Sequence, residues 1–345
     1  MDIYEDLKKV AALPYRWDKL AGSRIAISGG TGFLGSALIG VFNIRNALYN
    51  DDIRVVSLSR SGKKRDDGAP NDYKSCAQYI AADVTQPVRI DGKVDYVIHL
   101  ASNTHPAQYA LDPVGTITGN VLGADNLLRL AAEKQAKRFL LASSVEIYGS
   151  CPPRPVDESY CGYIDCNTAR AGYNEAKRLS ESLARSYESQ YGVDVAIVRL
   201  ARCFGPDFTK KDTKVMAQFL RCAAEGQDIV LKSQGTQRYS YCYYADAVSG
   251  MIAVLTDGKS GEAYNVADDD EGFSLRDFAE YIALIAGCGV REEFSHQPGS
   301  SAAVNALLDC GKIKQLGFRP LFTLRQALKK TYEILVKHND DREGR

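Results

Sequence analysis

An apolar run, Arg24–Ser28, leads without a break into Gly29-Gly30-Thr31-Gly32-Phe33-Leu34-Gly35, and a helical pattern follows at once. A strand that must turn directly into a helix leaves few options. Gly29 makes the tight turn, Gly32 lets backbone N–H groups approach a pyrophosphate, and Gly35 lets the helix lie close on the strand. The partial positive charge of the helix N-terminus favours an anion at the same place. With a strand before it and a helix after it, the stretch reads as a dinucleotide-binding turn. Thr31, Phe33 and Leu34 are then cofactor contacts along with the three glycines.

The rest of the chain is consistent with that start. Strands are predicted at Arg24–Ser28, Ile53–Ser59, Gln78–Ala82, Tyr96–Ala101, Arg138–Ser143 and Val193–Leu200. Helices are predicted at Thr31–Tyr49, Val114–Gln135 and Thr168–Tyr191. Alternation of this kind implies an α/β fold, a Rossmann-type doubly wound parallel sheet with helices on both faces. After Arg202 the rhythm breaks. Pro206–Lys214 is a charged loop, Asp228–Lys232 a short strand, and Leu324–Val336 the closing helix. The expected division is a dinucleotide domain of 22–202 plus about 239–260, a smaller substrate domain of about 203–238 plus 261–337, and a disordered tail at 338–345.

Composition narrows the function. The 345 residues carry 43 Lys+Arg against 43 Asp+Glu, so no global basic charge draws the chain to nucleic acid. No apolar run approaches the ~20 residues that cross a bilayer, and the N-terminal residues mix acids into a stretch with no apolar core. Nine scattered cysteines without a Cys-x-x-Cys pair read as reduced thiols in a cytoplasm. The four histidines give no metal centre; His99 reads as core.

Two places bear on the cofactor. NAD binders commonly carry an acid after the second strand for the ribose hydroxyls. Here Ser59-Arg60-Ser61 stands there. Arg60 fits a 2′-phosphate; a solvated basic loop is the other reading. Asp83-Val84, after the third strand, stands where adenine contacts fall or where a strand end is capped.

The chemistry centres on Tyr173 and Lys177. Four residues apart on a helix, they share one face. An ammonium beside a phenol favours the phenolate, so the tyrosine can act as a base, and the lysine can hold the nicotinamide ribose. The strand before this helix ends in Ser143-Ser144-Val145-Glu146. Its C-terminal end is where open α/β sheets bind ligands. Ser144 can hydrogen-bond the reacting sugar oxygen, and Glu146 can move a second proton or stand as a surface carboxylate.

Together the glycine turn, Ser144 and Tyr173-x-x-x-Lys177 resemble the extended short-chain dehydrogenase/reductases, over roughly residues 22–335. Within them, Glu158–Arg178, Ser144–Gly149, Phe204-Gly205-Pro206, Gly235–Arg238, Tyr244-Ala245-Asp246 and Gly261–Asn265 look most like the UDP-glucuronate decarboxylases and their dTDP-glucose 4,6-dehydratase cousins. The resemblance implies NAD as cofactor, with NADP kept open by Ser59-Arg60. Further cofactor contacts fall at Leu100, Ala101 and Ser102. It also implies a nucleotide-diphosphate sugar substrate and a homodimer built from the helices Val114–Gln135 and Thr168–Tyr191. Transient oxidation at C4 opens three outcomes: decarboxylation, favoured here, 4,6-dehydration or 4-epimerisation. A non-catalytic dinucleotide sensor is the reading from another class, but Ser144, Tyr173 and Lys177 are all retained.

Four departures stand out. Ser59 replaces the family's acid. Val145 occupies the position of the dehydratases' aspartate and of the decarboxylases' serine. Arg202 stands where an asparagine usually meets the diphosphate. The family's late arginine has no counterpart in Ala302–Asp309. Arg202 and Arg238 are therefore the expected diphosphate-binding residues, with Ser144 and His105 lining the sugar pocket.

Overall fold

The computed structural model describes residues 3–63, 74–104, 111–168, 171–206, 212, 214–268, 272–294 and 305–343. Its centre is a seven-stranded sheet. In chain order the strands are β1 (Arg24–Ser28), β2 (Arg54–Ser59), β3 (Ala77–Ala81), β4 (Tyr96–His99), β5 (Arg138–Ser144), β6 (Val195–Leu200) and β11 (Glu262–Val266). Their spatial order is β11-β6-β5-β4-β1-β2-β3, every pair parallel. Strand order reverses between β1 and β4, which opens a crevice at their C-terminal ends.

Because both faces are covered, the central strands are apolar throughout: β6 is buried along its whole length and β4 likewise. On one face lie α1 (Ile3–Ala11), α2 (Phe33–Tyr49) and α6 (Tyr244–Asp257), packed on one another. On the other lie α3 (Pro113–Glu133) and α4 (Ala171–Tyr191), which pack together along their length. Two apolar clusters result, one on each face. Asp112 caps α3 by accepting the Gly115 N–H at 2.9 Å, and Pro113 begins the helix where no N–H is needed.

The remaining elements gather beyond the C-terminal ends of β5 and β6. They are β7 (Arg202–Phe204), α5 (Val215–Ala224), β8 (Ile229–Leu231), β9 (Arg238–Tyr239), β10 (Tyr241–Tyr243), β12 (Phe273–Ser274), α7 (Leu275–Ala286), β13 (Val290–Glu292), α8 (Gly311–Lys314) and α9 (Leu324–Glu343). Short strands pair two by two: β10 with β7, β12 with β9, β13 with β8. Among the described residues no helix is long and apolar enough to cross a membrane.

Two expectations need correcting. The boundary at 261 assigned Glu262–Val266 to the smaller unit. Instead β11 pairs with β6 and extends the main sheet, because Ala263, Tyr264 and Val266 fill its edge and leave almost no exposed surface. Residues 338–345 were expected to be disordered, yet α9 runs to Glu343. The segment is polar, but no glycine or proline interrupts it before Gly344. A helix already nucleated by a buried face propagates through such residues. Elsewhere the differences are of one to three residues at element ends. Helix α4, for instance, starts at Ala171 rather than Thr168.

Candidate active site

The glycine turn folds as its spacing requires. Gly29 takes a φ of 73° and donates its N–H to the Leu58 carbonyl. A Cβ there would sit 2.8 Å from the Ala101 nitrogen, and a Cβ on Gly35 would overlap the Gly29 carbonyl oxygen. Both positions exclude side chains, so strand, turn and helix close on one another. Gly32 is the N-cap of α2 and offers no side chain to cap it. The first N–H groups of the helix therefore remain available to a pyrophosphate. Thr31 is half-buried in the turn, as are Phe33 and Leu34 at the start of α2.

The neighbouring strand ends complete this cradle. Leu100 donates to the Ser28 carbonyl at 3.1 Å, and Ala101 to the Ser28 hydroxyl at 3.2 Å. Ser28 in turn pairs with His99 Nδ1 at 2.7 Å. Burial first, and then the charge of Lys177, push the His99 pKa down to about 3, so the ring is a neutral core group. Ser102 donates to Asn120 Oδ1 at 2.8 Å. At the other end, Ser59 accepts the Gly62 N–H at 3.2 Å. Asp83 accepts the Thr85 N–H and hydroxyl at 2.9 and 2.8 Å. These bonds, with a smaller contribution from Arg60, hold its carboxyl below the usual range. The Val84 carbonyl is taken by Asn126 Nδ2 at 2.8 Å. Such a crevice, with glycine cradle, uncapped helix and polar strand ends, fits a dinucleotide.

The residues expected from the sequence to meet the sugar come from β5, α4 and β7. Ser144 ends β5, and its Oγ accepts the Glu146 N–H at 3.3 Å. This begins a short 3-10 turn, Val145–Tyr148. Val145 points into the main core, 5% exposed, whereas Glu146 stays half-buried at the surface of the crevice. Helix α4 carries Tyr173 and Lys177, both buried. The Lys177 Nζ lies 5.9 Å from the Tyr173 ring centroid and donates to the Ala142 carbonyl at 2.8 Å, which ties the helix to the end of β5. Burial lowers the Lys177 pKa to about 8, opposed by Glu181 one turn along.

Several groups here were not legible in the sequence. Asn174 Nδ2 donates to the Glu146 carbonyl at 2.8 Å and approaches its carboxylate at 3.4 Å. Arg178 Nε donates to the Ile147 carbonyl at 2.7 Å and fixes the same turn. Beneath them, Glu181 and Arg199 form a buried pair at 2.7 Å. Arg199 also donates to the Tyr148 hydroxyl at 3.0 Å and the Glu158 carbonyl at 2.7 Å. The Tyr148 hydroxyl in turn donates to Asn265 Oδ1 at 2.6 Å. The register of Glu181 four residues after Lys177 was a usable signal for the first of these; nothing in the sequence pairs it with Arg199.

The two expected diphosphate-binding arginines make different described contacts. Arg202 Nη2 sits 3.5 Å from Glu146 Oε1, and its guanidinium covers the Tyr239 ring at 3.8 Å. Arg238 is exposed on β9 and donates to the Gly272 carbonyl at 2.9 Å, with no link to the Ser144–Glu146 group among its described bonds. Tyr241, Tyr243 and Tyr244 are packed in the core. His105 lies outside the described residues.

Comparison with known proteins agrees with this architecture. UDP-glucuronic acid decarboxylase 3 of Arabidopsis thaliana is 32% identical over 308 residues, covering 88% of this chain and 86% of that one. UDP-glucuronic acid decarboxylase 1 of Xenopus tropicalis is 31% identical over 315 residues, 91% of this chain and 72% of the relative. Among solved structures, the fold is shared with a UDP-glucose 4-epimerase from Thermotoga maritima bearing UDP-glucose. Its TM-score is 0.77 at 20% identity, over 92% of this chain and 99% of that one. A dTDP-glucose 4,6-dehydratase from Streptomyces venezuelae with NAD bound gives a TM-score of 0.75 at 23% identity, over 93% and 98%. Residues 25–267 match the NAD dependent epimerase/dehydratase family, and the chain belongs to that family.

Proposed function

We propose that the chain decarboxylates a nucleotide-linked uronate, with UDP-glucuronate the first candidate, through transient oxidation at C4. The observation that carries this reading is Glu146, held by Asn174 and Arg202 just past the end of β5, two residues after Ser144. Simple epimerisation needs no second acid/base. Dehydration needs an acid where Val145 is packed into the core. The decarboxylase relatives cover most of the chain.

A bound dinucleotide would supply reversible hydride chemistry at C4. Gly29–Gly35 and the N-terminus of α2 would hold its pyrophosphate, Asp83 and Val84 its adenine end, and Lys177 its nicotinamide ribose. Tyr173 takes the proton of the sugar 4-hydroxyl at its phenolic oxygen, while Ser144 Oγ positions that hydroxyl. A ketone at C4 then draws electrons from C5. The bond from C5 to its carboxylate breaks, carbon dioxide leaves, and the electron pair passes into an enolate at C4. C5 regains a proton, for which the Glu146 carboxyl is the nearby carrier. Residue by residue, the chemistry is acid–base work and positioning.

NAD is the favoured dinucleotide. Arg60 keeps NADP as a second reading, and titration of each into the protein decides between them. We also propose a homodimer through α3 and α4, whose outer faces leave Val114, Leu122, Leu179 and Tyr191 exposed. A dimer mass by light scattering at micromolar concentration supports it, and a monomer mass contradicts it. The nine thiols support a reducing, cytoplasmic setting. The function itself is tested by incubating the protein with a panel of nucleotide sugars, headed by UDP-glucuronate, and reading products by mass. Loss of carbon dioxide from UDP-glucuronate alone is expected. Loss of water from a hexose substrate, or no change, would contradict the reading.

A further inference from the structure

Among the described residues, arginines at partly or fully buried positions are nearly all spoken for. Arg45 reaches Asp51 with two bonds and the Ala11 carbonyl with a third. Arg138 makes four bonds, to Asp194 and the Val254 and Leu255 carbonyls. Arg199 is engaged on every side. Arg202 differs. Among the described residues its side chain donates no hydrogen bond within normal range, and its Nε is buried without an acceptor. Its one ion pair among the described residues is with Glu146, at 3.5 Å. A guanidinium carries five donors in a planar fork, and leaving a buried one unmet is unfavourable.

The plane of that fork is fixed. The Tyr239 ring lies under it at 3.8 Å, and stacking of this kind restrains an arginine without using its donors. Tyr241, paired in register with Arg202 across β10 and β7, brings a second buried polar atom without a partner, its hydroxyl oxygen. Two unmet donors on paired strands, that of Arg202 the more exposed, offer bonds that a planar anion can take.

Resting on the uronate reading above, we infer that Arg202, stacked on Tyr239, binds the carboxylate of the sugar and so selects an acidic sugar over a neutral one. A diphosphate offers the same chemistry, but the place favours the sugar. Arg202 contacts Glu146, two residues beyond Ser144, and Asn174, the residue next to Tyr173, donates to the same turn. The anion held there belongs to the reacting ring. When carbon dioxide leaves, Arg202 loses its partner and keeps only Glu146, which favours exchange of product for fresh substrate.

The test is binding to cofactor-loaded protein in a Tyr173→Phe background, so that turnover does not interfere, by calorimetry with UDP-glucuronate, UDP-glucose and UDP. With Arg202 in place, UDP-glucuronate should bind about tenfold to a hundredfold tighter than UDP-glucose. Arg202→Met should erase that preference while UDP and UDP-glucose change little. Arg202→Lys, a charge without the fork, should restore part of it, and it serves alone if the methionine variant does not fold. Equal weakening of all three ligands would overturn the inference and give Arg202 to the diphosphate. An undiminished preference in Arg202→Met would overturn it too. If the Arg202-dependent preference holds but the chain bearing Tyr173 releases no carbon dioxide, the decarboxylase reading fails while the carboxylate site stands.

Discussion

The two sides of the crevice are built from different material. On the side proposed for the dinucleotide, backbone shapes the cradle: Gly29, Gly32 and Gly35 remove side chains so that strand, turn and helix close together. On the sugar side, side chains from β5, α4 and β7 converge, and hydrogen bonds such as Asn174 to Glu146 hold them in place. Backbone sites depend on spacing along the chain and tolerate almost any neighbours. Side-chain sites depend on elements remote in sequence, and one replaced residue changes what they accept. A family can therefore keep one cofactor and vary its reaction.

Substitutions that break one side and spare the other sharpen this contrast. The largest effect is expected for Tyr173→Phe. Losing the proton acceptor should lower kcat by roughly a hundredfold to ten-thousandfold, while dinucleotide affinity, measured by titration, stays near that of the unaltered chain. A variant that also lost the dinucleotide would mean the two sides are not separable.

Next comes the support beneath the sugar side. Glu181→Ala strands the Arg199 charge in the interior, where both side chains are under a tenth exposed. Breaking a buried pair from one side should destabilise the fold by ~3–5 kcal/mol in chemical denaturation. Replacing both members with apolar residues of similar volume should recover much of that loss.

The pH dependence has two parts. Lys177 carries a pKa near 8 when folded against an ordinary 10.5. Between those values the unfolded chain holds more protons, so stability rises with pH across that window and the full penalty, on the order of 3 kcal/mol, applies below it. Lys177→Met should flatten this rise. His99, near 3 when folded against 6.5, works in the acid range. Again the unfolded chain binds the extra proton, so stability falls as pH drops from about 6.5 towards 3. His99→Gln should reduce that fall; an unchanged acid limb would mean the ring is solvated.

The smallest effect falls on the backbone side. Gly35→Ala forces a Cβ against the Gly29 carbonyl and the Gly30 Cα. It should destabilise the fold by ~1–3 kcal/mol and weaken dinucleotide binding. The environment of Glu146 and Arg202 should not change.

The same contrast explains what the sequence disclosed. The glycine turn, the parallel strands, Tyr173 and Lys177 were legible because local spacing dictates them. So were Ser144 and Glu146, which share one strand end. Asn174 was invisible because its partner, Glu146, lies 28 residues away. Arg202 was identified as a substrate residue, but its approach to Glu146 depends on β7 pairing with β10, a contact that no periodicity encodes. β11 was misassigned for the same reason. Its place at the sheet edge follows from pairing with β6, after about sixty intervening residues of irregular order. The tail at 338–345 was misjudged because polarity was read as disorder, although the preceding helix was already anchored.

The central claim is that the sugar is oxidised at C4 and the same hydride comes back. UDP-glucuronate carrying deuterium at C4, converted in ordinary water, tests this directly by mass and NMR of the product. The account predicts a UDP-pentose that keeps its deuterium at C4 and gains a solvent proton at C5. A pentose with the label washed out, or no pentose at all, would contradict it.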